Sequence, residues 1–416
     1  MSRILPDELL RVNPGASSPP LRPQRRMISS YGRRVAFFPV LENRLTRAFR
    51  PNMPALDLFP AATWAHTTSR RLRHAATDLF LGCDPMGYRP LRDAVADYLN
   101  TSRGVRCVAD QVVIVSGVQE AIDLVARLFL NPGERVCVED PGYPGAVLAC
   151  EAVGARISPI GLDDEGMKLH ASSLRGARLV YVTPAHQFPL GITMSLRRRL
   201  ELLEWARKSN AFIFEDDYDG EFRYSGRPVL AMQGLDRSGH VLFSGSFSKV
   251  LFPSLRLGYL VTPPDLIPYF EAAKSITTRH PPLIEQAVLC DFMTAGHFGR
   301  HLRRMREIYA GRLSALQDAA KESLRGLLEI STVEAGLQTS GWLCAGVAAE
   351  GASKAAKAKD VEVVPLSVYS RRRSLRQGLQ LGFAAIDEHE IRRGVRELAT
   401  VLERAAHAPS KRNGTA

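Results

Sequence analysis

Ser244-Gly245-Ser246-Phe247-Ser248-Lys249-Val250-Leu251-Phe252-Pro253-Ser254-Leu255-Arg256-Leu257-Gly258-Tyr259 is the stretch on which the reading of the fold turns. One lysine follows a small, hydroxyl-rich turn, and one arginine stands seven residues later. The apolar run Gly258-Tyr259-Leu260-Val261 then reads as a strand. A lysine amine whose pKa is lowered by desolvation attacks an aldehyde and can anchor it covalently. Around it, Ser246 and Ser248 offer hydroxyls to a phosphate and Arg256 offers a planar fork. On its own the stretch also reads as a basic surface loop, so the rest of the chain has to decide.

Three further segments do so. Ala211-Phe212-Ile213-Phe214 reads as a buried strand, with Glu215-Asp216-Asp217-Tyr218-Asp219 at its carboxyl end. Ligands of open α/β sheets gather at the carboxyl ends of strands. Val112-Val113-Ile114-Val115 runs into Ser116-Gly117-Val118-Gln119 and then a helical pattern from Ala121. The free N–H groups of Gly117, Val118 and Gln119 at that helix start suit an anion. Glu139-Asp140-Pro141-Gly142-Tyr143 follows the strand Arg135-Val136-Cys137-Val138 and brings a tyrosine to the same edge. An amine for an aldehyde, a phosphate cradle, an acid and a ring for stacking together describe a site for pyridoxal 5′-phosphate (PLP). Asp216 would pair with the pyridine nitrogen, because a protonated ring is the better electron sink. Tyr218 would donate to the ring 3-oxygen and Tyr143 would stack on the ring. Without Lys249, the acidic run would read equally well as a magnesium site.

The phrases Gly87-Tyr88-Arg89-Pro90-Leu91-Arg92, Glu139-Asp140-Pro141-Gly142-Tyr143, Thr183-Pro184-Ala185-His186-Gln187-Phe188-Pro189-Leu190-Gly191, Glu215-Asp216-Asp217-Tyr218 and Phe247-Ser248-Lys249-Val250-Leu251-Phe252-Pro253 carry a resemblance. In order and spacing the chain resembles the fold-type-I, aspartate-aminotransferase-like PLP enzymes. More closely it is similar to the aminotransferase-like domain of the MocR/GabR class of bacterial regulators. The match runs from about residue 50 to about residue 402. The resemblance implies a mostly parallel, seven-stranded-type α/β sheet sandwiched by helices, a smaller α+β C-terminal domain, and a homodimer with its site at the subunit interface. In that regulator class a winged helix-turn-helix precedes the PLP domain. Here about fifty residues precede the match, rich in Pro and Arg, and no DNA-reading pattern is expected in them.

The departures from the family pattern bear on function. Amino-acid transaminases usually carry an arginine in the last strand as a fork for the substrate carboxylate. Aligned on Leu381-Gly382-Phe383-Ala384, that position is Gln380. Arg376, or the run Arg371 to Arg373, is a candidate replacement; the alternative is a set of solvated loop arginines. Phe188 stands where most relatives have an asparagine at the cofactor 3-oxygen, a feature shared with the regulator class, and His186 and Gln187 are candidates to take over that contact. Gly82 and Cys83 stand where relatives often place a tyrosine that reaches the partner subunit's phosphate.

The 416 residues suffice for two domains. The expected division is an arm over residues 1–50, a large PLP-binding domain over 51–285, and a small C-terminal domain over 286–416. Within the latter, a long helix is expected around Gln286, another from His301 to Leu316, and a solvated one over Gly351 to Lys359. Hydrophobic residues make up 45% and charged residues 24%, the profile of a soluble globular protein. Six scattered cysteines without a CxxC pair suit a reducing, cytoplasmic setting. There is no apolar run of membrane-spanning length, and no signal-peptide core. The net charge of +12 comes from scattered basic residues without interleaved aromatics. That pattern favours an arginine-rich composition or an electropositive funnel for anions over a nucleic-acid surface. The expected function is a PLP-dependent enzyme acting on an amino acid or amine, an aminotransferase by default. Elimination, replacement, decarboxylation or ring formation on the same cofactor is one alternative, and a non-catalytic PLP-binding sensor is the other.

Overall fold

The computed structural model describes residues 27–36, 47–74, 77–170, 172–226, 229–331, 333–344, 346–371 and 376–407. Most of the expected arm therefore lies outside the described residues, as do Arg372 and Arg373.

Short β-branched and apolar runs build one large sheet. Its strands are β1 (Val112–Val115), β2 (Arg135–Asp140), β3 (Arg156–Asp163), β4 (Gly166–Met167), β5 (Ala177–Val182), β6 (Phe212–Asp217), β7 (Val241–Ser246) and β8 (Gly258–Val261). They lie in the order β1-β8-β7-β6-β5-β2-β3-β4. The run β7-β6-β5-β2-β3 is parallel, while β8 is antiparallel to both β1 and β7. β4 adds a two-residue hairpin to β3, which makes eight strands in place of the expected seven. All four residues of β1 and of β8 are buried, as in a sheet covered on both faces.

Helices cover this sheet, and their ends are marked in the sequence. The helix Leu196–Ser209 starts at Ser195, whose side chain accepts the Arg198 N–H, and stops at Asn210 in the left-handed conformation. The helix Val118–Phe129 buries Ala121, Ile122, Leu124 and Val125. Its first turn points into the crevice at the carboxyl ends of the parallel strands, the usual ligand side.

The rest of the chain folds around a second, antiparallel sheet. It comprises β9 (Leu328–Ile330), β10 (Gln338–Leu343), β11 (Val364–Pro365) and β12 (Gly378–Gly382), in the order β11-β12-β10-β9. Two expectations are corrected here. The helix read from His301 to Leu316 runs from His297 to Ser323, because no Gly or Pro interrupts its apolar stripe beyond Gly299 and Gly311. The helix read as solvated spans Ala349–Lys357 and buries Ala349, Ala352 and Ala356 against the C-terminal helix Glu388–His407. Alanine at i, i+3 and i+7 forms a narrow apolar stripe, which composition alone conceals. The strand-like stretch 47–55 binds the two sheets together. Ala48 bridges to Val361, the Gly382 N–H donates to the Phe49 carbonyl, and Phe49 is fully buried. None of the described helices is long and apolar enough to cross a membrane.

Candidate active site

β6 separates its carboxylates by strand alternation. Glu215 and Asp217 share one face: Glu215 accepts the Met232 and Gln233 N–H groups, and Asp217 pairs with Arg103 at 2.5 Å. Asp216 looks the other way. Its Oδ2 accepts the Tyr181 hydroxyl at 2.5 Å, while its Oδ1 is buried and accepts from nothing among the described residues. Burial pushes this acid up to about 7; Asp217 and Asp219 add to the effect, while the Tyr181 hydroxyl and Lys249 oppose it. A buried, oriented acceptor with an unused lone pair is the group a pyridinium N–H requires.

Lys249 follows β7 in the short helix Phe247–Val250. Its Nζ donates to the Asn52 carbonyl at 2.7 Å. Burial lowers its amine to about 8, against the pull of Asp219 and Asp216. A substantial neutral fraction at physiological pH makes it a competent nucleophile. Asn52 was missed in the sequence; it sits in the left-handed conformation in the middle of the 47–55 stretch.

The candidate anion cradle lies at the start of the helix Val118–Phe129. Gly117 caps the helix Val118–Phe129 at φ 132°, and a Cβ there would stand 3.8 Å from the Arg256 guanidinium. The Val118 and Gln119 N–H groups find no acceptor among the described residues. Glu120 does not obstruct the cradle. It accepts the Ser116 N–H and pairs with the fully buried Lys274 at 2.6 Å. Burial opposes its ionisation, yet Lys274 beside it holds it below the usual range. The Ser246 Oγ accepts the Ser248 N–H, so both serines stand at the helix start before Lys249.

An aromatic and histidine shell closes the site. The Tyr143 hydroxyl donates to Gln119 Oε1, and its ring lies 6.4 Å from Tyr181 and 5.9 Å from Phe188. Phe188 also meets Tyr218 at 5.9 Å and Tyr369 at 5.0 Å, edge to face. His186 Nδ1 lies 3.0 Å from Asp219 Oδ1 and 3.0 Å from the Tyr218 hydroxyl. Both contacts fall on one ring nitrogen, so the histidine ties Tyr218 to Asp219. Burial, then Asp219 and Asp216, raise Tyr218 well above the ordinary tyrosine range, so it stays protonated. Gln187 is turned away to a supporting task, donating to the carbonyls of Pro141 and Phe188. Its part is to fix the Asp140–Gly142 turn below Tyr143.

The small sheet supplies the remaining wall. Gln380 is fully buried, and its Oε1 accepts the Tyr369 hydroxyl at 2.7 Å. Arg376 is not brought to it: the guanidinium pairs with Glu329 at the β9 edge and lies over Trp342. Arg371 pairs with Glu151. Tyr369, Tyr181, Asp219 and Gln338 were not read as site residues from the sequence. Tyr369, Tyr181 and Gln338 stand in apolar or irregular contexts whose chemistry depends on distant partners, and Asp219 stood unassigned at the end of the acidic run.

This arrangement of lysine, acid and anion cradle coincides with a family match. The model for aminotransferase class I and II covers residues 52–398. The chain belongs to that family. Its cofactor is pyridoxal 5′-phosphate, and it is a PLP-dependent transferase of the fold-type-I kind. It is 38% identical over 396 residues to the probable rhizopine catabolism regulatory protein MocR of Rhizobium meliloti, covering 92% of this chain and 80% of that protein. The structure of Pyrococcus horikoshii kynurenine aminotransferase in complex with PMP is similar at a TM-score of 0.79 and 30% identity, over 86% of this chain and 90% of that one. Thermus thermophilus LysN, an α-aminoadipate aminotransferase complexed with N-(5′-phosphopyridoxyl)-L-leucine, is similar at a TM-score of 0.79 and 28% identity, over 86% and 92%.

Proposed function

We propose that this aminotransferase moves an amino group from an amine-bearing substrate to an oxo acceptor, with Lys249 as the anchoring and proton-carrying residue and Asp216 as the partner of the pyridine nitrogen. The observation that carries the reading is the buried, unpartnered Oδ1 of Asp216, held in orientation by Tyr181, at the strand end beside a lysine of lowered pKa. The bound cofactor supplies an electron sink for charge developing at the substrate carbon. With the cofactor bound, Lys249 Nζ would take the proton from that carbon and return it. Ionised Asp216 keeps the ring nitrogen protonated by a charge-assisted bond in a dry site. Arg256, Ser246, Ser248 and the N–H groups of Gly117, Val118 and Gln119 hold the phosphate. Tyr143 stacks on the ring, Tyr218 donates to the 3-oxygen, and His186 positions Tyr218. We place the protein in the cytoplasm, which its six unpaired thiols suit.

The test is turnover with an amine and an oxo acid. Asp216→Ala should retain cofactor and lose about 10²–10³-fold in rate, the cost of deleting a preorganised electrostatic partner. Near-normal rates in that variant would contradict the assignment. A second reading, a sensor that binds an amine without turnover, is favoured by the likeness to MocR. Production of the amino product by the wild type eliminates it.

A further inference from the structure

The face that the small sheet turns toward Lys249 is built of uncharged amide and hydroxyl groups. Gln380 pairs with Ser340 across β12 and β10, and Gln338 precedes Ser340 by two residues, so the three side chains share one face. All three are at least 98% buried. Their contacts fix the direction of that face. The Ser340 hydroxyl donates to the Pro189 carbonyl, beside Phe188. Gln338 Oε1 accepts the N–H of Asn52, the residue whose carbonyl holds Lys249. Gln380 Oε1 meets Tyr369, whose ring packs on Phe188. The alternate residues, Leu379 and Leu381, point into the opposite apolar core.

Two buried amide donors on this face are left over. Gln338 Nε2 and Gln380 Nε2 donate to nothing among the described residues. The Asn52 N–H requires the oxygen of Gln338 on its side, so the unused group is a donor. Gln338 Nε2 is directed at Tyr218, on which it acts, without closing a hydrogen bond; Gln380 Nε2 has no such neighbour. An unused buried donor calls for an acceptor on the ligand. The charge around it restricts that acceptor. Asp219, Asp216 and Glu139 all act on Tyr218 at the centre of this wall. Of the arginines in the stretch 371–376, the two among the described residues, Arg376 and Arg371, are tied to Glu329 and Glu151. Among the described residues no arginine is brought to Gln380 as a counter-charge, and a substrate carboxylate left without one in a low-dielectric pocket among acids is expensive. A hydroxyl or ether oxygen satisfies the amide at no such cost, and the ammonium end of the substrate gains from the acids.

We infer that Gln380 is a specificity-determining residue, and that the amino donor is a carboxylate-free, hydroxyl-bearing amine of the amino-alcohol or amino-sugar class. The inference rests on the reading of Lys249 as the reacting amine only for turnover, not for recognition. It is tested on the holoenzyme by calorimetry and by the cofactor's absorption spectrum. The probes are 2-amino-1,3-propanediol and glucosamine on one side, and L-alanine and L-glutamate on the other. At least one hydroxylated amine should bind about tenfold or more tightly than either amino acid. Gln380→Arg should reverse the order, and Gln380→Met, which keeps the volume and removes the donor, should weaken the hydroxylated amine by about 3–10-fold. Tighter binding of the amino acids to the wild type overturns the inference, as does an order unaltered by Gln380→Arg. The expected order without any spectral change leaves the inference standing and refutes the role of Lys249.

Discussion

At the scale of single residues, the chemistry depends on two groups whose pKa values burial moves toward neutrality from opposite sides. Lys249 is lowered to about 8 and Asp216 raised to about 7. For a lysine the neutral amine is the nucleophile, and it forms above the pKa. Capture of an aldehyde by the cofactor-free protein should therefore rise as pH increases through about 8, well below the ordinary lysine value of about 10.4. Lys249 and Asp216 could be proposed from the sequence because each belongs to a local phrase with its own chemistry. Alternation along β6 sends Asp216 and Asp217 to opposite faces, and Asp217 is the one paired with Arg103. Tyr181 was not legible. Its hydroxyl orients Asp216 from the next strand, 35 residues away, and within its own strand it reads as one more core aromatic. Arg376 misled for the converse reason: nearness in sequence to Gln380 did not reveal Glu329 across the sheet edge.

At the scale of elements, the strands of the large sheet were readable from β-branched runs. The small domain was less so, because β11 has two residues and β9 three, too few for a period to show. One turn there carries a specific constraint. Gly336 lies at φ 90°, and a Cβ on it would run into His186 Cε1 and Nδ1 and Asp219 Oδ2. Close backbone approach, with the left-handed conformation, leaves room for glycine alone. Gly336→Ala should destabilise the protein by about 1–3 kcal/mol through overpacking, read as a lower urea midpoint. It should also disturb the His186–Tyr218 pair and weaken cofactor binding. An unchanged midpoint together with unchanged cofactor affinity would show that this turn does not support the site.

At the scale of the whole molecule, the 47–55 stretch lets the small domain act on chemistry in the large one, since it carries Asn52 between Gln338 and Lys249. The family resemblance implies a homodimer. Phe80, Leu81 and Ile276 are 65%, 80% and 86% exposed, and the Cys83 N–H to His280 bond joins the two segments that carry them. Covering such side chains favours a homodimer; sedimentation should give twice the chain mass, and a PLP-bound monomer as the sole species would refute it. The account as a whole stands on Lys249. The most direct measurement is to recombine cofactor-free protein with PLP across a pH series, trap the product with borohydride and map the labelled peptide. The account expects the label on Lys249, with a capture rate that climbs through pH about 8. A label on another lysine, or capture that awaits the ordinary lysine range near 10.4, would contradict it.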